Sequence, residues 1–319
     1  MLSCVKPSKL VLGAKANNYQ LKEHTQIIES ALEQSVWLHT SLYYSGSLDL
    51  IGRLAKEKKK NLRCIAKVSV DSRDRGTLKN QVEETLEKSG LEHIDIIQIC
   101  GNPAVEEMMP GRFFRTQMDD LVRDGKVGEY YPELYWQYSD NYEKALKDGL
   151  FNGCIFYHNL FLREMKSSLY ETISSKGSRF NGIALRALGG GPGNYYEDKV
   201  SESFRSQVLK IVKDSGLDEL EFRMAYLMAK SFMSSLVVGT SRLKNFNNVA
   251  EMIYNGKCLD AELVEKIDAI HYLIWAKRGI GNGEGLHRPY GRLGIKIIAT
   301  NTKKTISRVL KNKPKGYDW

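Results

Sequence analysis

Residues 36–46, VWLHTSLYYSG, read as a short apolar strand that stops at a histidine and opens into a loop with two tyrosines. In a protein built on a parallel sheet, strand ends of this kind carry the reactive groups. The same shape recurs along the chain. Short runs rich in Val, Ile and Leu fall at 9–13 (KLVLG), 62–70 (LRCIAKVSV), 94–100 (IDIIQIC), 153–158 (GCIFYH), 182–188 (GIALRAL) and 235–240 (SLVVGT), with a weaker one at 126–131 (KVGEYY). Segments with helical periodicity lie between them. In 21–34, Ile27, Ile28, Ala31 and Leu32 share one face. In 78–90, Leu78, Val82 and Leu86 repeat with a helical period and Gly90 supplies the stop. Segments 114–126 and 162–177 behave the same way.

Strand then helix, eight times over roughly 240 residues, is the signature of a parallel sheet and fits a closed (β/α)8 TIM barrel. A doubly wound open sheet is the alternative. The first strand is followed by a single glycine in LVLGAKANNYQ, without the glycine-rich fingerprint of a dinucleotide-binding turn.

Composition narrows the class. Of 319 residues, 42% are hydrophobic and 27% charged, as expected for a globular protein with a sizeable core. No apolar run is long enough to cross a membrane, and the N-terminal MLSCVKPSKLVLG has no long apolar stretch of the secretory type. The five cysteines (Cys4, Cys64, Cys100, Cys154, Cys258) show neither metal-ligand spacing nor a disulfide framework, so reduced thiols in a cytosolic protein are expected. The net charge of +9 is concentrated at one end. Residues 277–319 hold eleven Lys and Arg against two acids, so the remainder is neutral. Domain organisation therefore reads as a barrel over 1–276 and a basic C-terminal extension over 277–319. Within the extension, Ile295, Ile298, Ile306, Val309 and Leu310 can share a helix face among basic residues. Residues 286–319 thus point to an anionic membrane surface or polymer as partner, with a peripheral location. No specific nucleic-acid motif is present, and no metal is expected.

Several segments then resemble the aldo-keto reductases. SKLVLG is similar to their first strand. HTSLYYSGSLDLIGRLAKE is similar to their second strand, loop and helix, where Asp-Thr-Ala-x-x-Tyr-Gly is usual. IAKVSV, SGLEHIDIIQIC, MDDLVRDGKVG, HNLFLR, ALRALGGGPG and LVVGTSRLKNFNNVAE follow in the family's order, and the resemblance spans residues 9 to 255. It implies a (β/α)8 barrel that reduces carbonyls with NADPH. The family's site uses a tyrosine as general acid, a lysine and an aspartate that tune it, and a histidine that orients the carbonyl. Matched position by position, Tyr44 falls on the tyrosine and Lys67 on the lysine. His39 falls where the aspartate is expected, and Cys100 where the histidine is.

That exchange weakens the expected chemistry. A phenol ordinarily titrates near 10 and needs a nearby cation to act at neutral pH. A neutral imidazole holds a lysine less well than a carboxylate does, and a thiol is a weak donor toward a carbonyl. The cofactor positions depart too. The family's Ser-Asn pair and glutamine around the nicotinamide amide align with Glu133, Leu134 and Ile155, and its stacking tyrosine aligns with Leu185. The phosphate-binding turn keeps Gly239, Thr240, Ser241 and Arg242, leading to Asn248, and Arg186 sits at the end of the seventh strand. Three readings follow. One is a repurposed enzyme acting on a polar, anionic or phosphorylated carbonyl or sugar-type ligand at the barrel mouth, as in glycan assembly, with hydride transfer weak or lost. Another is an NADPH-dependent carbonyl reductase with an atypical Tyr/Lys/His/Cys site. The last is a non-catalytic scaffold whose basic tail does the binding.

Overall fold

The computed structural model describes residues 6–15, 21–44, 46–58, 62–70, 77–101, 105–134, 139–161, 163, 165, 167–189 and 202–277. The basic segment 278–319, Cys4 and the glycine-rich 190–194 lie outside the described residues. Strands and helices alternate in the order β1 (Leu10–Gly13), α1 (Leu21–Glu33), β2 (Trp37–Ser41), α2 (Ser47–Lys58), β3 (Cys64–Ser69), α3 (Leu78–Ser89), β4 (Ile94–Cys100), α4 (Phe113–Arg123), β5 (Val127–Leu134) and α5 (Ser139–Lys147). They continue through β6 (Gly153–Tyr157), α6 (Ser167–Ser174), β7 (Asn181–Leu185), α7 (Glu202–Ser215), α8 (Glu219–Met228), β8 (Met233–Val238), α9 (Leu243–Asn255) and α10 (Ala261–Lys277). All eight strands pair in parallel, and β1 pairs with β8 to close a (β/α)8 barrel. The weak run at 126–131 is a full strand that extends to Leu134.

Local chemistry sets the element ends. The Thr77 hydroxyl accepts from Asn80 N at 3.2 Å and caps α3. Gly90 stops that helix with φ of 62°, a left-handed conformation that glycine adopts without a Cβ penalty.

The interior follows from the two-residue side-chain period of a strand. One inward layer is apolar: Val11, Trp37, Ile65, Ile96, Tyr131, Ile155, Ile183 and Val237, one from each strand. Each fully buried aliphatic side chain there contributes about 1.5–3 kcal/mol. Two residues further along, the same inward direction carries Gly13, His39, Lys67 and Gln98 on β1 to β4, and Glu133, Tyr157, Leu185 and Gly239 on or after β5 to β8. The packed plug therefore gives way, at the C-terminal ends of the strands, to a layer of polar groups and glycines.

Helix α10 is fastened outside the barrel. Lys230 Nζ lies 2.8 and 2.9 Å from the Asp268 carboxylate, the Tyr226 hydroxyl donates to Asp268 at 2.6 Å, and His271 Nε2 bonds Leu160 O at 2.9 Å. No helix among the described residues is long and apolar enough to cross a membrane.

The plug leaves no slack at β6. A Cβ added at Gly153 would lie 2.5 Å from the Tyr131 ring and 2.6 Å from Asn181 O. Gly153→Ala is expected to destabilise the fold by about 1–3 kcal/mol through overpacking. A lower urea midpoint at unchanged slope is the measurement that checks it.

Candidate active site at the barrel mouth

A cavity of about 180 Å³ opens at the C-terminal end of the barrel. Its walls include His39, Tyr44, Lys67, Gln98, Tyr157 and Arg186, with Gly13 and Gly239 also in the lining.

The two tyrosines of the opening stretch take different paths. Tyr43 donates its hydroxyl to Gln81 Oε1 on α3 at 2.6 Å. Tyr44 turns to the cavity, in a loop fixed by backbone bonds from Tyr44 N to Ser41 O and from Ser47 N to Tyr44 O, both 3.0 Å. Thr40 and Ser47 bond through their hydroxyls at 3.0 Å beneath it. Burial pushes the Tyr44 phenol above its ordinary value, with the Lys67 cation pulling the other way. The phenol is therefore neutral at pH 7 and holds a proton to give.

Lys67 has a carboxylate partner, and it comes from a strand that the alignment assigned to cofactor contacts. Lys67 Nζ lies 3.0 Å from Glu133 Oε2. Glu133 has no exposed surface, and Lys67 retains 24% at the cavity floor. Burial pushes the Glu133 carboxyl up, but the Lys67 charge and hydrogen bonds from Cys100, Lys67 and Gln98 together bring it below the usual value. Burial pushes the Lys67 ammonium down, but Glu133, Cys100 and Tyr44 together push it up by more, so its pKa ends above the usual lysine range. The two directions agree on a charged pair. This corrects the expectation that His39 stands in as the lysine's partner.

His39 is engaged elsewhere, through Nε2 with Gln98 Oε1 at 2.6 Å. Burial lowers its pKa to about 4, with Lys67 pulling the same way and the Gln98 hydrogen bond opposing, so the ring is neutral at pH 7. Cys100, at the end of β4, donates its thiol to Glu133 Oε2. Burial and the adjacent carboxylate raise that thiol well above its ordinary value, so the protonated thiol is the favoured form. Leu134 points outward into the core between sheet and helices, and Ile155 lies in the apolar layer below the site. Leu185 lines the cavity, and its direct neighbour on β6, Tyr157, brings an aromatic ring to the same wall.

Arg186 reaches the rim from the turn after β7. Its φ of 58° is left-handed, a strained conformation for a non-glycine residue. The turn is held at the Arg186 carbonyl, which accepts from Gly189 N at 2.9 Å and from Asn159 Nδ2 at 3.3 Å. Across the mouth, Lys15 Nζ stands 5.9 Å from the centre of the Tyr44 ring. Gly239, Thr240, Ser241 and Arg242 form the turn from β8 into α9, where Thr240 Oγ1 accepts from Arg242 N at 3.2 Å. Asn248 is exposed in the second turn of α9. Among the described residues no cluster of His, Cys, Asp or Glu side chains could hold a metal ion.

Gln98, Tyr157 and the pairing role of Glu133 were not singled out from the sequence. Their signal was present: Gln98 breaks the apolar run of IDIIQIC two residues after Ile96, and Glu133 follows Tyr131 by the same step.

The arrangement invites comparison with solved structures. A thermostable aldo-keto reductase in complex with the inhibitor epalrestat superposes with a TM-score of 0.65 at 17% identity, covering 84% of this chain and 97% of that one. An aldo-keto reductase from Klebsiella pneumoniae in complex with NADPH gives 0.61 at 12%, covering 83% and 95%. Another from Klebsiella pneumoniae, in complex with NADP and acetate, gives 0.61 at 12%, covering 83% and 91%. The chain has the aldo-keto reductase fold. No protein-family model matches the sequence, and no curated protein matches it. Within this aldo-keto reductase-like barrel Tyr44 lies in the loop after β2, Lys67 on β3, Glu133 on β5 and His39 on β2.

Glu133→Gln leaves the Lys67 ammonium buried without its counter-charge, at an expected cost of about 3–5 kcal/mol at pH 7. The folded carboxyl is held below its unfolded value, so its stabilisation is complete above the ordinary carboxylate range. It is lost as the pH falls from about 4 through the depressed folded value. Lys67 is shifted upward, so its share is complete at neutral pH and is lost as the pH rises from the ordinary lysine value through the raised folded value. Urea unfolding of both proteins should show a stability gap that is widest near neutrality and closes in acid. A gap independent of pH would contradict the pairing.

Proposed function

We propose that the protein is a nicotinamide-dependent carbonyl reductase acting on small polar carbonyl compounds, with an acid–base centre made of Tyr44, Lys67, Glu133 and His39. The observation that carries this reading is the buried Lys67–Glu133 pair at 3.0 Å beside the neutral Tyr44 phenol. A tyrosine needs a fixed cation nearby to give up its proton, and the cation needs a carboxylate to stay charged and in place.

The described residues offer partial support for the cofactor. Gly239, Thr240, Ser241 and Arg242 would hold its phosphate end, where the amides that open α9 favour an anion. Tyr157 offers a ring face beside Leu185, where the family resemblance leads one to expect a tyrosine on the neighbouring strand. Two of the structural neighbours were solved with NADPH or NADP, which suits the same assignment here. When bound, the reduced nicotinamide supplies hydride to the carbonyl carbon. The chain's own part is to place the carbonyl oxygen against the Tyr44 hydroxyl and deliver the phenolic proton as the oxygen becomes an alkoxide. Lys67 stabilises the phenolate left behind until solvent reprotonates it, and Glu133 keeps Lys67 aimed. Lys15 and Arg186 at the mouth favour a polar or anionic substrate, phosphorylated compounds included.

NADPH is expected to bind saturably at physiological salt, followed by tryptophan fluorescence, and small aldehydes to be reduced. Tyr44→Phe should lower kcat by roughly 100- to 10,000-fold with binding retained. Absence of NADPH binding would retire the reading. The basic segment 286–319 would hold the enzyme on an anionic surface. Retention on phosphatidylserine vesicles that falls steeply with salt, and is lost on deleting 286–319, is the corresponding expectation.

A further inference from the structure

The turn between β4 and α4 carries two apolar side chains that the core does not take up. Met108 is buried, and Phe114, Met118 and Leu121 pack α4 inward. Helical spacing sets Phe113 off that face. It is 69% exposed, with Met109 at 39%. Tyr254, on α9, is the one other large apolar side chain so exposed among the described residues. Pro110 and Gly111 form the tip. Gly111 has φ of 80°, and Arg112 N donates to Met109 O at 3.3 Å, which closes a tight turn. The turn follows the C-terminal end of β4, so it stands on the same face of the barrel as the cavity.

The charges beside the tip work against the helix that follows it. The stretch 108–118, MMPGRFFRTQM, holds two arginines and no acid. Arg112 is the N-cap of α4 without a side-chain cap bond, and no acid stands in the first turn. A cation at the amino end of a helix opposes its dipole, and the first amides there favour an anion. Arg115 is balanced by Asp119 at 2.8 Å, while Arg112 forms no ion pair with a described residue. An anionic surface would supply the charge that this helix end lacks, and the apolar tip favours lipid over a soluble anion. A protein partner fits less well. A stable protein interface takes about 800 Å² from each partner, whereas a bilayer needs only protruding apolar side chains beside cations. Resting on the reading of residues 286–319 given above, we infer that the turn from Met109 to Phe113 is a second membrane contact, which inserts both side chains among anionic lipids and turns the barrel mouth toward the bilayer. The tail supplies most of the charge, and the turn supplies depth and orientation.

The test uses the full chain and phosphatidylcholine vesicles with and without phosphatidylserine. Phe113→Ser is expected to lower partitioning onto the anionic vesicles roughly tenfold, the effect of one ring no longer leaving water. Its urea midpoint should not fall, because the side chain is exposed in the free protein. Phe113→Trp places an indole at the tip. Its emission, taken as a difference from the wild type with its four tryptophans, should shift to the blue on anionic vesicles and be quenched by lipids brominated on their acyl chains. If the wild type is retained but Phe113→Ser partitions equally, or the introduced indole is not quenched, the inference is overturned and the reading of the tail stands. No retention of the full chain on anionic vesicles sinks both. If Phe113→Ser abolishes self-association in sedimentation while vesicle partitioning is unchanged, the turn meets a second copy of the chain and the inference falls.

Discussion

Glu133 is a carboxylate without exposed surface, and the mouth of the barrel is arranged around it. A buried anion is tolerated only where counter-charge and donors lie within reach. Here Lys67 supplies the charge, and Cys100 and Gln98 supply further hydrogen bonds. Each of those commitments has a consequence. Lys67 is held charged beneath Tyr44. Cys100 is kept as a thiol. Gln98 reaches Cys100 with Nε2 and His39 with Oε1. A single buried charge thereby orders four side chains on three strands.

The closed barrel makes this possible. Strands β2 to β6 each send a polar side chain (His39, Lys67, Gln98, Glu133 and Tyr157) to the same end of the barrel, so groups far apart in sequence meet. Lys67 and Glu133 are 66 positions apart and 3.0 Å apart in space. A carboxylate can serve the lysine from β5 as well as from β2, because every strand end faces the same centre. The same reasoning lets Tyr157 present a ring beside Leu185 on the adjoining strand. The rim is less symmetrical. Arg186 is held in a left-handed turn by Asn159 and Gly189, a local strain that the surrounding bonds sustain and that keeps a guanidinium at the opening.

The sequence by itself determined the eight strands, most of the helices and the barrel, because the two-residue and 3.6-residue periods are local properties that a strand or a helix must display to bury one face. Tyr44 and Lys67 stood out only through the resemblance to the aldo-keto reductases, which places them at that family's tyrosine and lysine positions. The sequence marked Gln98 and Glu133 as polar interruptions of the apolar strand runs, without saying what they touch. Only the tertiary structure decided that Tyr43 turns to α3 while Tyr44 turns to the cavity. It also decided that Glu133 pairs with Lys67, that His39 answers to Gln98, and that the Cys100 thiol is held by a carboxylate. Those outcomes depend on the register of neighbouring strands and on which buried charge reaches which donor. Such distances are set by closing the sheet on itself, and no window of sequence contains them.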